Sequence, residues 1–180
     1  MMKTYKCKSK HYGFQLSIPD GWSGSLAIDL LENVPNTVKY RRDSSGKATD
    51  SRTIVGPDGK YLTISITPLS ENEPEPTIDE TDEYFDGLAY RQSLHVIATG
   101  TINIANKEHF WATYYRMTLI GQSQIRFFKK YCLFLNRTEY LITAGLWSVL
   151  PGDKLPTDQM LEDSEKVYDE IVSSFELSSD

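Results

Sequence analysis

The side chains able to transfer protons, attack a substrate or hold a metal are few in this chain, and they are scattered. Its three histidines, His11, His95 and His109, each stand alone in the sequence. Gly21-Trp22-Ser23-Gly24-Ser25 and Gly121-Gln122-Ser123-Gln124-Ile125 look superficially like serine elbows. Neither is the G-x-S-x-G turn that presents a nucleophile between a strand and a helix. No His-Glu-x-x-His pair, calcium loop or phosphate loop is present. The two cysteines, Cys7 and Cys132, fit no zinc spacing and read as two unrelated reduced thiols. Eight acids fall within the sixteen residues Glu71 to Asp86. They could form an acidic docking surface or a weak cation site, but a solvated linker and a capped helix start explain them better. No catalytic residue, metal ligand or cofactor follows from these patterns, and the chain is expected not to be an enzyme.

Residues suited to contact are more plentiful. Trp111, Tyr114, Tyr115, Phe127, Phe128 and Tyr131 fall on neighbouring expected strands, where core packing accounts for them. Aromatic strand faces also line binding grooves. If such a groove stays open, Trp22 and Trp147, both near strand ends, are its rim candidates and the expected partner-binding residues. Lys129 and Lys130 point to opposite faces of one strand and so make no single basic patch. Asn136-Arg137-Thr138 is a glycosylation sequon by letters and a polar turn by context.

The elements that would position these residues follow from hydrophobic period. In Gly13 to Ile18, Phe14, Leu16 and Ile18 alternate with Gln15 and Ser17, the pattern of a half-buried strand, and Pro19-Asp20-Gly21 ends it. The structure of residues 23–51 is left open, except that Ser44 to Ser51 reads as a polar loop. Arg52 to Pro68 reads as strand, turn and strand around Pro57-Asp58-Gly59, with Leu62, Ile64 and Ile66 on one face. Thr77 and Glu80 form a capping box that opens a long amphipathic helix over about Ile78–Ile97. Four strands follow up to Trp147, joined by hairpin-length links at Gly121–Gln124 and Asn136–Glu139 and therefore antiparallel. Several carry apolar residues on both faces, so both faces need cover. A last helix, capped by Thr157 and reaching about Ser173, supplies an apolar stripe of Leu161, Tyr168, Ile171, Val172 and Phe175. The expected fold is α+β, a three-layer α/β/α sandwich around a central, mainly antiparallel sheet.

The totals narrow the function. The length suits a single domain, residues 1–180 with a core over about 5–177, and 39% apolar content argues for a packed globule. A net charge of −6 argues against general nucleic-acid binding. No run of about 18 apolar residues could span a bilayer. The first ten residues show neither a secretory h-region nor a lipobox before Cys7, so the expected location is cytoplasmic.

"YGFQLSIPDGW" near the start, "IVGPDGKYLTISI", the long helix and antiparallel strands, and a closing helix ending "IVSSFEL" together resemble the PsbP-like superfamily. That group takes in the PsbP extrinsic subunit of photosystem II, a Ran-binding nuclear-transport factor and bacterial DcrB-like lipoproteins. The resemblance covers about residues 5–177 and implies the same α/β/α sandwich. It also implies assembly, docking or chaperone-like work without a single shared function, and it transfers no metal role to any residue here. The expectation is a non-enzymatic protein-binding domain with a protein partner, a homodimer being left open. The alternative is a small-molecule or lipid-binding protein that uses an apolar groove beside the sheet.

Overall fold

The computed structural model describes residues 1–8, 13–24, 41–42, 48–72, 74–75, 77, 80–92, 94–118 and 124–178. In chain order these form β1 (Met2–Lys8), β2 (Gly13–Pro19), β3 (Ser23–Gly24), β4 (Arg41–Arg42), β5 (Ala48–Val55), a 3-10 turn (Pro57–Gly59) and β6 (Tyr61–Pro68). Then come α1 (Thr81–Gln92), β7 (His95–Ile104), β8 (Lys107–Thr118), β9 (Gln124–Leu135), β10 (Thr138–Val149), α2 (Asp158–Ser173) and β11 (Glu176–Leu177). The large sheet runs β3-β5-β6-β10-β9-β8-β7, with β4 paired on β5, and a small sheet runs β1-β2-β11. The described strand pairings are antiparallel.

Period-two burial sets the faces. Leu62, Ile64 and Ile66 of β6 are fully buried, while Thr63, Ser65 and Thr67 between them are half-exposed. In β9 the alternation disappears, and every residue from Phe128 to Leu133 and on to Phe134 is buried. Tyr131 and Leu133 join one apolar cluster with Ile64, Ile142, the β2 residues Phe14, Leu16 and Ile18, and Tyr168, Ile171 and Val172 of α2. Phe128, Cys132 and Phe134 join the other, with Phe110, Ala112 and Tyr114 of β8 and Phe85 and Ala89 of α1.

The small sheet is tied to the end of α2. Thr157 caps that helix, its side chain accepting from the Met160 amide. Past the helix, Ser174 Oγ accepts from the Ser17 amide at 2.8 Å, and Phe175 stacks on Phe14 at 5.3 Å between ring centroids. Tyr140 meets Phe175 edge-on at 5.1 Å, joining this stack to the large sheet. The coarse expectation of an α+β fold around antiparallel strands therefore holds. The three-layer α/β/α description is not met in full. Sheet dominates the fold, and a second, small sheet β1-β2-β11 meets the end of α2 where a single central sheet was expected.

Local differences have physical reasons. The long helix expected to Ile97 stops at Gln92. The Leu94 amide closes back on the Ala89 carbonyl at 2.9 Å. The β-branched run Val96, Ile97, Thr99, Thr101, Ile102 and Ile104 then pairs with β8 as a strand. At the helix start, Glu80 Oε2 accepts from the Thr77 amide at 2.7 Å, but the Thr77 hydroxyl donates to the same carboxylate at 3.0 Å, so the capping box is half made. Residues 48–51, read as loop, belong to β5. The expected Asn136–Arg137 hairpin is present with both residues at positive φ, 50° and 57°. That matches the right-handed strand twist as a type I′ turn does. Residues 121–123 of the expected second hairpin and most of the open stretch 23–51 lie outside the described residues, while Gln124 begins β9.

Phe14 is fully buried between Phe175 and Tyr140. Phe14→Ala is expected to destabilise the fold by about 3–5 kcal/mol, read as a lowered urea midpoint. An unchanged midpoint would contradict this packing.

Candidate functional site

The site grows from an irregularity in β10. Its register with β9 runs from Thr138↔Leu135 to Gly145↔Phe128 and then jumps to Trp147↔Phe127, leaving Leu146 as an extra residue. Such a bulge re-aims the side chains around it. Leu146 turns inward and is 3% exposed, whereas Trp147 turns out and is 37% exposed. Gly145 is required here. A Cβ at this position would sit 2.3 Å from the Tyr61 ring, which lies across it. From below, the Tyr168 hydroxyl donates to the Gly145 carbonyl at 2.6 Å and anchors the bulge to α2.

Around the bulge, at the end of the sheet where β6 and β9 begin, lies an open concavity of about 830 Å³. Tyr61, Phe127, Leu146 and Trp147 give it an apolar surface, and Lys60, Arg126 and Lys154 add three cations against one carboxylate, Asp153. Arg126 donates from Nε to Gln124 Oε1 at 2.8 Å, and Gln124 Nε2 donates to Ser148 Oγ at 2.5 Å. This chain of bonds holds the guanidinium by Nε, and Arg126 is exposed. Asp153 Oδ2 accepts from the Leu150 amide at 3.1 Å, which ties this carboxylate to its own turn. Among the described residues of the lining the side-chain hydroxyls are those of Tyr61 and Ser148, with no histidine or cysteine beside them.

Of the two sequence candidates, only Trp147 stands at this site. Trp22 is 2% exposed, meets Tyr168 edge-on at 5.7 Å and lies so close over Gly56 that a Cβ there would fall 2.4 Å from its ring. The rim expectation for Trp22 is corrected by this placement, since a plugged indole has no surface to offer. Lys60, Arg126 and Lys154 were missed. They come from a turn, a strand start and a loop, and no local motif joins them.

Several reactive groups elsewhere are enclosed, though His95 is exposed at the start of β7. Under α1, Tyr84 donates to Glu139 Oε1, and the Cys132 thiol donates to the Tyr84 hydroxyl at 2.9 Å. Burial, reinforced by Glu139, pushes the Cys132 thiol up, so it stays protonated and inert. Burial and the same two neighbours, Cys132 and Glu139, push Tyr84 up as well. Lys130 beside them is pushed down to about 8 by burial, against the pull of Cys132 and Glu139. On the opposite face Lys129, 2% exposed, pairs with Glu165 at 3.0 Å and Asp169 at 2.9 Å and lies 3.9 Å from the Trp111 ring centroid. Asp169 also accepts from the Tyr131 hydroxyl at 2.6 Å. These networks join helices to the sheet. Cys7 and Cys132 are both free and buried, and the described residues contain no cluster of ligands able to hold a metal.

No family model matches the chain, and no curated protein does. Solved structures do. The solution structure of cyanobacterial PsbP (CyanoP) from Synechocystis sp. PCC 6803 aligns over 97% of this chain and 92% of its own, with a TM-score of 0.57 and 10% identity. The Saccharomyces cerevisiae Ran-binding protein Mog1p aligns over 98% of this chain and 96% of its own, with a TM-score of 0.55 and 10% identity. A Mog1 point mutant aligns over the same shares with a TM-score of 0.52. The fold is PsbP-like. At this identity the PsbP-like fold is what the proteins share, so any function must be argued from the concavity itself. No helix among the described residues is long and apolar enough to cross a membrane.

Two outcomes are expected. Gly145→Ala forces the Tyr61 ring off the bulge and is expected to cost about 1–3 kcal/mol of stability, with a lower Tm; an unchanged Tm would mean the ring can move freely. His109 is 1% exposed, accepts from the Phe134 amide at Nδ1, and is held down to about 4 by burial and by Lys107. Because the folded state keeps the imidazole neutral while the unfolded chain protonates near 6.5, stability contributed by this residue is lost as pH falls from about 6.5 to about 4. The urea midpoint of the wild type should fall more steeply across that window than that of His109→Gln. Equal slopes would assign the pH dependence to other groups.

Proposed function

We propose that residues 1–180 form one non-enzymatic protein-binding domain, with its core over about 5–177, and that its contact site is the concavity beside Trp147. The observation that carries this reading is the half-exposed indole set beside three cations over an apolar surface. Exposed aromatic and arginine side chains together are typical of the centres of protein interfaces. Among the described residues of the concavity no nucleophile is paired with a base, while the thiol of Cys132 and the amine of Lys130 lie inside the fold. The PsbP-like likeness supports the reading only by analogy, through the Ran-binding description of Mog1p.

A second reading rests on size. A volume of about 830 Å³ also lies within the range of small-molecule sites, which keeps a small-molecule or lipid ligand as the alternative. Native mass spectrometry of gently purified protein would show a bound mass in that case.

The leading reading is tested by capture from lysate of the source organism with wild type and Trp147→Ala. Trp147 is on the surface, so the variant should keep its urea midpoint while losing partners that the wild type retains. Identical capture by both, or none by either, would remove Trp147 from the contact site.

A further inference from the structure

We propose that the occupant of the concavity is an extended acidic protein segment in which carboxylates alternate with apolar side chains. The inference rests on the protein-binding reading and deepens it by naming the chemistry of the partner.

Charge complementarity carries the argument. Three cations elsewhere sit against acids: Lys107 with Glu75 at 2.7 Å, Lys129 with Glu165 and Asp169, and Lys166 with Asp163 at 3.3 Å. Lys60, Arg126 and Lys154 have no such partner among the described residues, although the whole protein carries a net charge of −6. The one acid among them, Asp153, is turned to the Leu150 amide. Three cations gathered around a single carboxylate give this concavity a local positive excess inside an acidic protein, an attractive field in a repulsive surround. That field selects carboxylates that arrive close and in register, and it disfavours a long polyanion.

The apolar surface sets the second requirement. Tyr61, Phe127, Leu146 and Trp147 lie among the cations. A segment of carboxylates alone would leave these rings unused, and an apolar segment alone would bury the cations without counter-charge, which is costly. An extended chain with alternating side chains satisfies both, because successive residues of a strand point to opposite sides.

The test measures fluorescence anisotropy of labelled ten-residue peptides of alternating Glu and Leu, alternating Lys and Leu, and alternating Ser and Leu, together with a ten-nucleotide oligo-thymidine. The Glu–Leu peptide is expected to bind in preference to the other three. Arg126→Glu combined with Lys154→Glu should weaken it about tenfold, as should high salt, with the urea midpoint unchanged. Should the reversed pair unfold, Arg126→Gln with Lys154→Gln removes the charge more gently and should weaken binding in the same direction. Absence of Glu–Leu binding, equal binding of the Ser–Leu or Lys–Leu peptide, preference for the oligonucleotide, or indifference to the charge variants would each overturn the proposal. So would a dimer in sedimentation that dissociates in the Arg126→Glu/Lys154→Glu variant, since a second copy would then be the occupant. The two levels fail separately. Capture indifferent to Trp147→Ala defeats the protein-binding site, whereas capture that needs Trp147 but survives charge reversal defeats only the acidic segment.

Discussion

The structure depends on the double-faced burial of β9. A strand with one wet face can stand at the surface of a sheet, but Phe128 to Phe134 leave β9 no wet face in its middle. Something must lie on each side of it. On one side α1 delivers Phe85 and Ala89 to Phe128, Cys132 and Phe134; on the other, α2 brings Tyr168, Ile171 and Val172 into the cluster of Tyr131 and Leu133. The polar groups trapped by this arrangement are then dealt with locally. Lys129 cannot reach water, so it is held between two carboxylates of α2 and the face of Trp111. The lysine is buried while its two carboxylates reach solvent, so the contact adds little net stability but ties α2 to one place on the sheet. Glu139, Tyr84 and Cys132 play the matching part beneath α1.

Once α2 is fixed in this way, the small sheet and the site both follow from it. Just past its end, Ser174 and Phe175 seize β2, and β11 continues that contact as a strand. Halfway along α2, Tyr168 does two things with one side chain. Its ring takes the edge of Trp22 in the core, and its hydroxyl holds the Gly145 carbonyl at the bulge. The concavity at the sheet end is therefore shaped from the core outward. Packing that holds α2 in place also sets the direction of Trp147.

Legibility in the sequence tracks how local each cause is. Phe14, Leu16 and Ile18, or Leu62, Ile64 and Ile66, declare their face by alternation alone, and Thr157 declares a helix start by its own side chain. The end of α1 was not legible. Val96 falls at helical spacing after Ala89, and only pairing with β8 decides that it belongs to a strand. The strand β1 was hidden by its lysines: in "MKTYKCK" the alternation of Tyr5 and Cys7 is slight, and it becomes a strand because β2 offers an edge. Ala48 to Ser51 look like loop because they are small and polar, yet antiparallel pairing to β6 and β4 extends β5 through them. Trp22 could be placed near a strand end but not on a side of it. Its burial depends on Gly56, thirty-odd residues away, having no side chain.

The site was the least legible part, for a reason that also separates binding from catalysis. A catalytic constellation often leaves a local signature, because a nucleophile needs a strained turn or a helix end to activate it. A contact surface needs no such strain. Lys60, Arg126 and Lys154 are ordinary residues in a turn, a strand and a loop, and they become a cluster only when the sheet brings those ends together. The opposite holds for Cys132 and Lys130. Their acidity is altered by burial, as in many active sites, yet they are 0% and 5% exposed and so are out of reach of a substrate. Altered acidity marks a functional site when the group also meets solvent or a cleft. Here the altered groups and the open concavity are different places, and what the concavity presents is charge and aromatic surface. That separation is the physical ground on which the proposed binding reading rests.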